Sequence, residues 1–194
     1  MSTSTARRTA ARTIRRILAA TVISGVFAIG VAAPAFADEA TGPLGDSRCV
    51  PVTDKDWTAL FLDSEEKGLL NQINAYRKAN GRRDLSPNDV YNWPAAWASN
   101  DSALRGFSPS NHIDSLGRDV PTRMNQCTAF RNEHVGEINY WGQGGNFTTA
   151  AAALAWWKQS PLHNALLLNP TFRSVGLAKA TKDTKAHWTV VFQG

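Results

Sequence analysis

Apolar and polar positions along this chain follow two periods. Leu69, Ile73 and Tyr76 recur at helical spacing behind Asp63 and Glu66, which are placed as a capping box, and Asn80-Gly81 supplies a stop. This predicts a helix over residues 64–79. A second helix is expected from near Asn92, with Pro94 tolerated in its first turn, Trp97, Asp101 and Leu104 on one face, and Gly106 at its end. Residues 107–132, rich in Ser, Asn, Asp and Gly, read as loop with a short helix around 121–125. Alternation then predicts a strand over 135–141, a turn over 142–146 and an Ala-rich helix over 147–159. Ser160-Pro161 looks like an N-cap followed by proline at the first helical position, opening a short helix that Asn169-Pro170 ends. Two strands over 175–180 and 187–192, joined by a polar turn, close the chain. Residues 38–62 show little periodicity and read as an N-terminal extension to a body spanning 63–194.

Charge changes the picture at one end only. The chain of 194 residues carries 21 basic and 16 acidic residues, a formal net charge of +5. Five arginines (Arg7, Arg8, Arg12, Arg15 and Arg16) lie in the first 37 residues, which hold no Asp or Glu. Removing them leaves 16 basic residues against 16 acidic ones, so no nucleic-acid partner is expected. An apolar run follows from Ile17, and Ala35-Phe36-Ala37 forms a small-x-small site before Asp38. Basic region, apolar region and cleavage site together predict a secretory signal peptide over residues 1–37. An uncleaved anchor and an organelle transit peptide compete with it; the apolar run is too continuous for an amphipathic transit helix. The expected destination is secreted, extracellular or in the cell envelope, with no stable membrane span after signal cleavage.

Cys49 and Cys127 are the two cysteines, both in the exported part. In an oxidising compartment they are expected to form a disulfide, which stabilises the fold by roughly 4 kcal/mol in the chain-entropy account. Two buried free thiols are the alternative. Among seven tryptophans, Trp97, Trp157 and Trp188 read as core; Trp141, Trp156 and Trp93 are either core or the lining of a cleft for an apolar or sugar ligand.

The chain has no Walker loop, GxGxxG, CxxC, HExxH or GxSxG string, which removes phosphate-cradling, Rossmann and nucleophile-elbow chemistry. His134-Val135-Gly136-Glu137 has the HxxE spacing, but Ile138 stands where an inverted zincin needs histidine. His163 falls at the third position of the helix that Ser160 caps, where the helix dipole disfavours a protonated ring. His134 and His187 read as structural or exposed.

Taken in order, Asn74-Ala75-Tyr76-Arg77, Asn111-His112 with Gly117, Gly136-Glu137-Ile138-Asn139, Trp157 with Ser160-Pro161-Leu162-His163, Leu168-Asn169-Pro170 and Trp188-Thr189-Val190-Val191-Phe192 resemble the CAP superfamily. These are the cysteine-rich secretory, antigen 5 and pathogenesis-related 1 proteins, here in their bacterial SCP-like form. The resemblance runs from about Glu65 to Gly194. It implies an α+β fold, a three-layer α-β-α sandwich with a small, mainly antiparallel sheet, and a surface cleft holding two histidines and two acidic residues. His112 matches the first histidine, Glu137 the first glutamate and His163 the second histidine. Ser160 stands where the second glutamate would be, Leu162 replaces a usual glycine, and Ile138 separates Glu137 from Asn139.

Two imidazoles, one carboxylate and an open water position would make a His2Glu site for Zn2+ or another divalent metal. The same three side chains can equally form a hydrogen-bonded cluster without metal. The resemblance implies a recognition module that binds a lipid or sterol, a cell-wall component or an extracellular protein, with His112, Glu137, Ser160 and His163 lining its cleft. A zinc-dependent, protease-like hydrolase using His112, Glu137 and His163 is the alternative.

Overall fold

The computed structural model of the protein describes Cys49, residues 61–128 and residues 134–194. The expected signal peptide and most of the N-terminal extension lie outside the described residues. Helix α1 spans Ser64–Ala79, as the spacing predicts, and both halves of its capping box form: the Glu66 amide donates to Asp63 Oδ1 at 2.7 Å and the Asp63 amide to Glu66 Oε2 at 2.9 Å. Strand β1 is two residues, Ser86–Pro87, too short for periodicity to show; proline is tolerated there because β1 forms the sheet edge.

Helix α2, Asp89–Arg105, begins earlier than expected because the Asn88 side chain caps it by accepting from the Val90 amide at 3.1 Å. Pro94 therefore sits in the second turn rather than the first. Gly106 ends the helix in the left-handed conformation (φ 78°). Helix α3, Val120–Thr128, is longer than the expected short helix: Asp119 accepts from the Thr122 amide at 2.9 Å and starts it two residues before Thr122. Strand β2 covers Val135–Gln143. A single 3-10 turn, Gly145–Thr148, then precedes α4, Ala150–Gln159, whose cap is Thr149, so the Ala-rich helix starts later than expected. Helix α5 is Pro161–Leu167. Strands β3 (Ser174–Lys182) and β4 (Lys185–Gln193) form a hairpin turning at Asp183, whose φ is 55°.

The sheet order is β1-β3-β4-β2, with β1 parallel to β3 and the other pairs antiparallel. Ile138, Leu177, Trp188, Val190 and Phe192 face a core closed by Leu69 and Ile73 of α1, Leu154 and Trp157 of α4 and Leu167 of α5. On the other face, Ala178 and Val191 pack against Tyr91, Ala95 and Ala96 of α2 and Met124 of α3. Gly176 permits the second contact: a Cβ there would lie 2.1 Å from the Tyr91 carbonyl oxygen. The result is the expected three-layer α-β-α sandwich, with β2 as its free edge. Arg77, fully buried, ties α1 to the end of α5 by donating to the carbonyls of Leu167 (2.5 Å) and Asn169 (3.2 Å). Among the described residues no helix is long and apolar enough to cross a membrane.

Candidate functional site at the free edge of the sheet

Alternation along β2 sends Glu137, Asn139 and Trp141 toward the α2–α3 layer, opposite Val191, Thr189 and His187 of β4. The α2–α3 loop delivers His112 to this face. Its backbone is left-handed (φ 58°), a conformation uncommon outside glycine but more accessible to histidine than to most residues. His112 Nδ1 lies 2.9 Å from Glu137 Oε1. A carboxylate only accepts, so Nδ1 carries the proton and Nε2 of the neutral ring is an acceptor. Asn139 Nδ2 also donates to Glu137 Oε1, at 3.1 Å.

Glu137's second oxygen is taken by a residue that no sequence motif singled out. Arg123 Nη2 donates to Glu137 Oε2, and Arg123 Nη1 reaches the His112 carbonyl at 3.4 Å. Both side chains are buried. Burial alone pushes the Glu137 carboxyl up, but Arg123 and then His112 outweigh it and hold its pKa below the ordinary value. Arg123 also lies 3.8 Å from Asp114 Oδ2, which accepts from Arg118 Nε at 2.8 Å. Arg118 extends the chain of contacts to Gln126 at 3.3 Å and stacks over Trp97 at 4.8 Å. Cys49 and Cys127 are joined in a disulfide, so of the two states open to them the bonded one forms; its sulfurs pack with Trp93 and lie 4.0 Å from Arg118 Nη1. Arg123 and Cys127 stand one turn apart on α3. Reading that helix as far as Cys127 would have put Arg123 on its buried face, where an arginine needs an acidic partner.

His163 enters from the α4–α5 corner. Ser160 caps α5 through its carbonyl, which accepts from the Asn164 amide at 2.8 Å. Its hydroxyl makes no capping bond and instead lies 2.7 Å from His163 Nδ1. Burial, and secondly the charge of His112, lower the His163 pKa from the ordinary histidine value. The expected neutral ring agrees with that lowered value. Trp156 packs on His163 with ring centroids 4.9 Å apart and on Tyr140 at 5.9 Å, and neither ring lies parallel to it.

The other aromatic and histidine residues separate clearly. Trp97, Trp157 and Trp188 are core, as expected, and Trp93 joins them rather than lining a cleft. Trp141 and Trp156 are 45% and 47% exposed. His134 is exposed, whereas His187 is buried, stacks on Trp141 at 6.5 Å and lies 3.3 Å from Ser108 Oγ. Burial and the adjacent Lys185 push its pKa down to about 4.

As arranged, these residues do not fit a His2Glu metal centre. Both Glu137 oxygens are engaged by His112, Asn139 and Arg123, and a guanidinium supplies the positive charge that a metal would bring. Among the described residues no group of three or more His, Cys, Asp or Glu side chains is placed to hold a metal ion. What the arrangement offers is two imidazoles, each held through Nδ1, one of which, His163, adjoins the exposed indole of Trp156.

A family profile described as the cysteine-rich secretory protein family matches residues 70–192, more than half of the chain. No curated protein is significantly similar in sequence. Among solved structures, an outer surface protein of Borrelia burgdorferi is similar with a TM-score of 0.54 and 19% identity, over 68% of this chain and 95% of that one. An extracellular protein of Bacillus anthracis containing an SCP domain gives a TM-score of 0.48 and 21% identity; the match covers 69% of this chain and 44% of that one.

Proposed function

Because the chain belongs to the cysteine-rich secretory protein family, we propose that it acts outside the cytoplasm, in the envelope or beyond it, as a recognition module whose ligand seat is the edge of β2. In this reading residues 1–37 are removed on export and the mature protein begins at Asp38. The ligand is a wall component, a lipid or sterol, or an extracellular protein, met by His112, Glu137, Ser160 and His163. The observation that carries the proposal is that each histidine is fixed through Nδ1, to Glu137 in one case and to Ser160 in the other. A pair of imidazoles held in place, with Nε2 left without a partner among the described residues, suits hydrogen bonding to a ligand. Hydrolysis through zinc has less support, since Glu137 is bonded to Arg123 and does not stand ready as a third ligand.

The test is co-sedimentation of the exported protein with isolated cell walls and, separately, with phosphatidylcholine–cholesterol vesicles, alongside capture of extracellular proteins. Association with one of these, weakened about tenfold or more by His163→Ala, is the expected result. Absence of association with all three, or association indifferent to His112→Ala and His163→Ala alike, overturns the proposal. N-terminal sequencing of the exported protein checks the start at Asp38.

A further inference from the structure

The side chains at the β2 edge restrict the chemistry of the ligand further, given the recognition reading above. The buried charges there are balanced. Glu137 is matched by Arg123 and Asp114 by Arg118, so neither carboxylate is left to attract a cation and neither guanidinium to attract an anion. His112 Nε2 is an acceptor whenever the ring is neutral, because Nδ1–H is committed to Glu137. His163 is more adaptable: the Ser160 hydroxyl can donate to Nδ1 or accept from it, so His163 Nε2 can be donor or acceptor. A hydroxyl group, which both donates and accepts, suits His163 in either state. An ammonium only donates and a carboxylate only accepts.

Beside these groups stands Trp156, nearly half exposed, with Leu162 of the same corner 80% exposed. Its neighbours His163 and Tyr140 meet it at interplanar angles of 56° and 52°, so neither lies flat on the indole. Trp141, also exposed, is engaged by both His187 and the Lys185 ammonium at 5.1 Å. A broad aromatic surface next to hydroxyl-matching groups is amphipathic in the way a sugar ring is, with an apolar C–H face and a polar rim. An acyl chain would instead need apolar walls along its length. A groove of about 440 Å³ that includes Phe61, Leu62 and Leu70 lies by α1 and β1, at the opposite edge of the sheet.

We propose that the α4–α5 corner beside the β2 edge is a saccharide subsite: the apolar face of a neutral pyranose rests on Trp156 while its hydroxyls bond Nε2 of the adjoining His163. The ligand class is an uncharged, hydroxyl-rich glycan such as those of cell walls.

The exported protein is titrated with soluble oligomers of N-acetylglucosamine, glucose, galactose and mannose, followed by calorimetry and by the NMR signals of the imidazole nitrogens and indole N–H groups. At least one oligomer is expected to bind, shifting His163 Nε2 and the Trp156 indole. Trp156→Ala should weaken it about tenfold or more, and Trp141→Ala should leave it unchanged. If Trp156→Ala proves unfolded, Trp156→Leu, which keeps apolar bulk but removes the ring, gives the same comparison. Failure of every oligomer to bind, or binding that follows Trp141 rather than Trp156, overturns the saccharide proposal. Vesicle binding that depends on Trp156 with no oligomer binding also overturns it but leaves the recognition reading standing. Binding of neither, with no association with walls or extracellular proteins, removes both.

Discussion

Replacing Arg123 by methionine tests the electrostatic design of the site. Arg123 and Glu137 are each buried, and the Glu137 side chain is 1% exposed. Arg123→Met keeps most of the apolar stem and removes the cation. Glu137 is left with His112 and Asn139 as partners, neither of which supplies a permanent positive charge. Breaking a buried pair by deleting one member costs about 3–5 kcal/mol, because the surviving charge is uncompensated. A surface ion pair such as Lys179 with Glu65 would cost about 1 kcal/mol or less.

The cost must depend on pH in a defined direction. In the parent, the folded pKa of Glu137 lies below its ordinary 4.5, so its contribution is present above that pH and is lost as pH falls toward the folded value. In the variant, burial acts without Arg123 and raises the folded pKa above 4.5. The folded state then holds its proton longer than the unfolded chain, and stability falls as pH rises from 4.5 toward the new value. The gap between parent and variant is therefore small near pH 4 and large at pH 7.5. Urea unfolding followed by tryptophan fluorescence, with the disulfide intact, measures both ends. The double variant Arg123→Met/Glu137→Gln should recover part of the loss at pH 7.5, since it removes the stranded charge. A loss under about 1 kcal/mol at pH 7.5, or an equal loss at both pH values, would refute this account of the buried pair.

His187 acts in the same direction as Glu137 of the parent: with its folded pKa at about 4 against an ordinary 6.5, the unfolded chain binds the extra proton between these values. Stability contributed by the neutral ring is lost as pH falls through that window, by roughly 3 kcal/mol in full, and His187→Phe should flatten this part of the stability–pH curve; an unchanged slope counts against it. Cys49→Ser/Cys127→Ser opens a link spanning 78 residues and should cost about 4 kcal/mol in the chain-entropy account, read from the urea midpoint. An unchanged midpoint would show that the cross-link does not stabilise the body.

The scaffold around the site was legible where a local signal coincided with a tertiary one. Asp63 and Glu66 cap α1 with the same residues that mark its start in the sequence, and the apolar positions that follow are the ones the core buries. Strand β2 shows its alternation because one face meets α3 while the other meets α4 and α5. Where the cap leaves no pattern in the sequence, the boundary shifts: Asn88, Asp119 and Thr149 each start a helix at a place that composition alone does not indicate. β1 escaped because two residues carry no period, and they become a strand only by pairing with Ser174 and Val175.

The site divides along the same physical line. The order of motifs points to His112, Glu137 and His163, but residue types in a row do not say which atoms are already bonded. Asp114 and Arg118 are four apart, yet they sit outside any regular helix, where an i,i+4 pair leaves no pattern to read. Arg123 and Glu137 are 14 apart on different elements and meet only because α3 folds over the edge of the sheet. Formal charge from Asp38 onward is zero, which hides the fact that oppositely charged members of that balance are buried against one another in the site. A carboxylate next to histidine reads as a metal ligand in sequence because its counter-cation is invisible there. Once Arg123 is in place, Glu137 orients an imidazole, and the chemistry open to the site passes from its carboxylate to the Nε2 atoms, which have no bonding partner among the described residues.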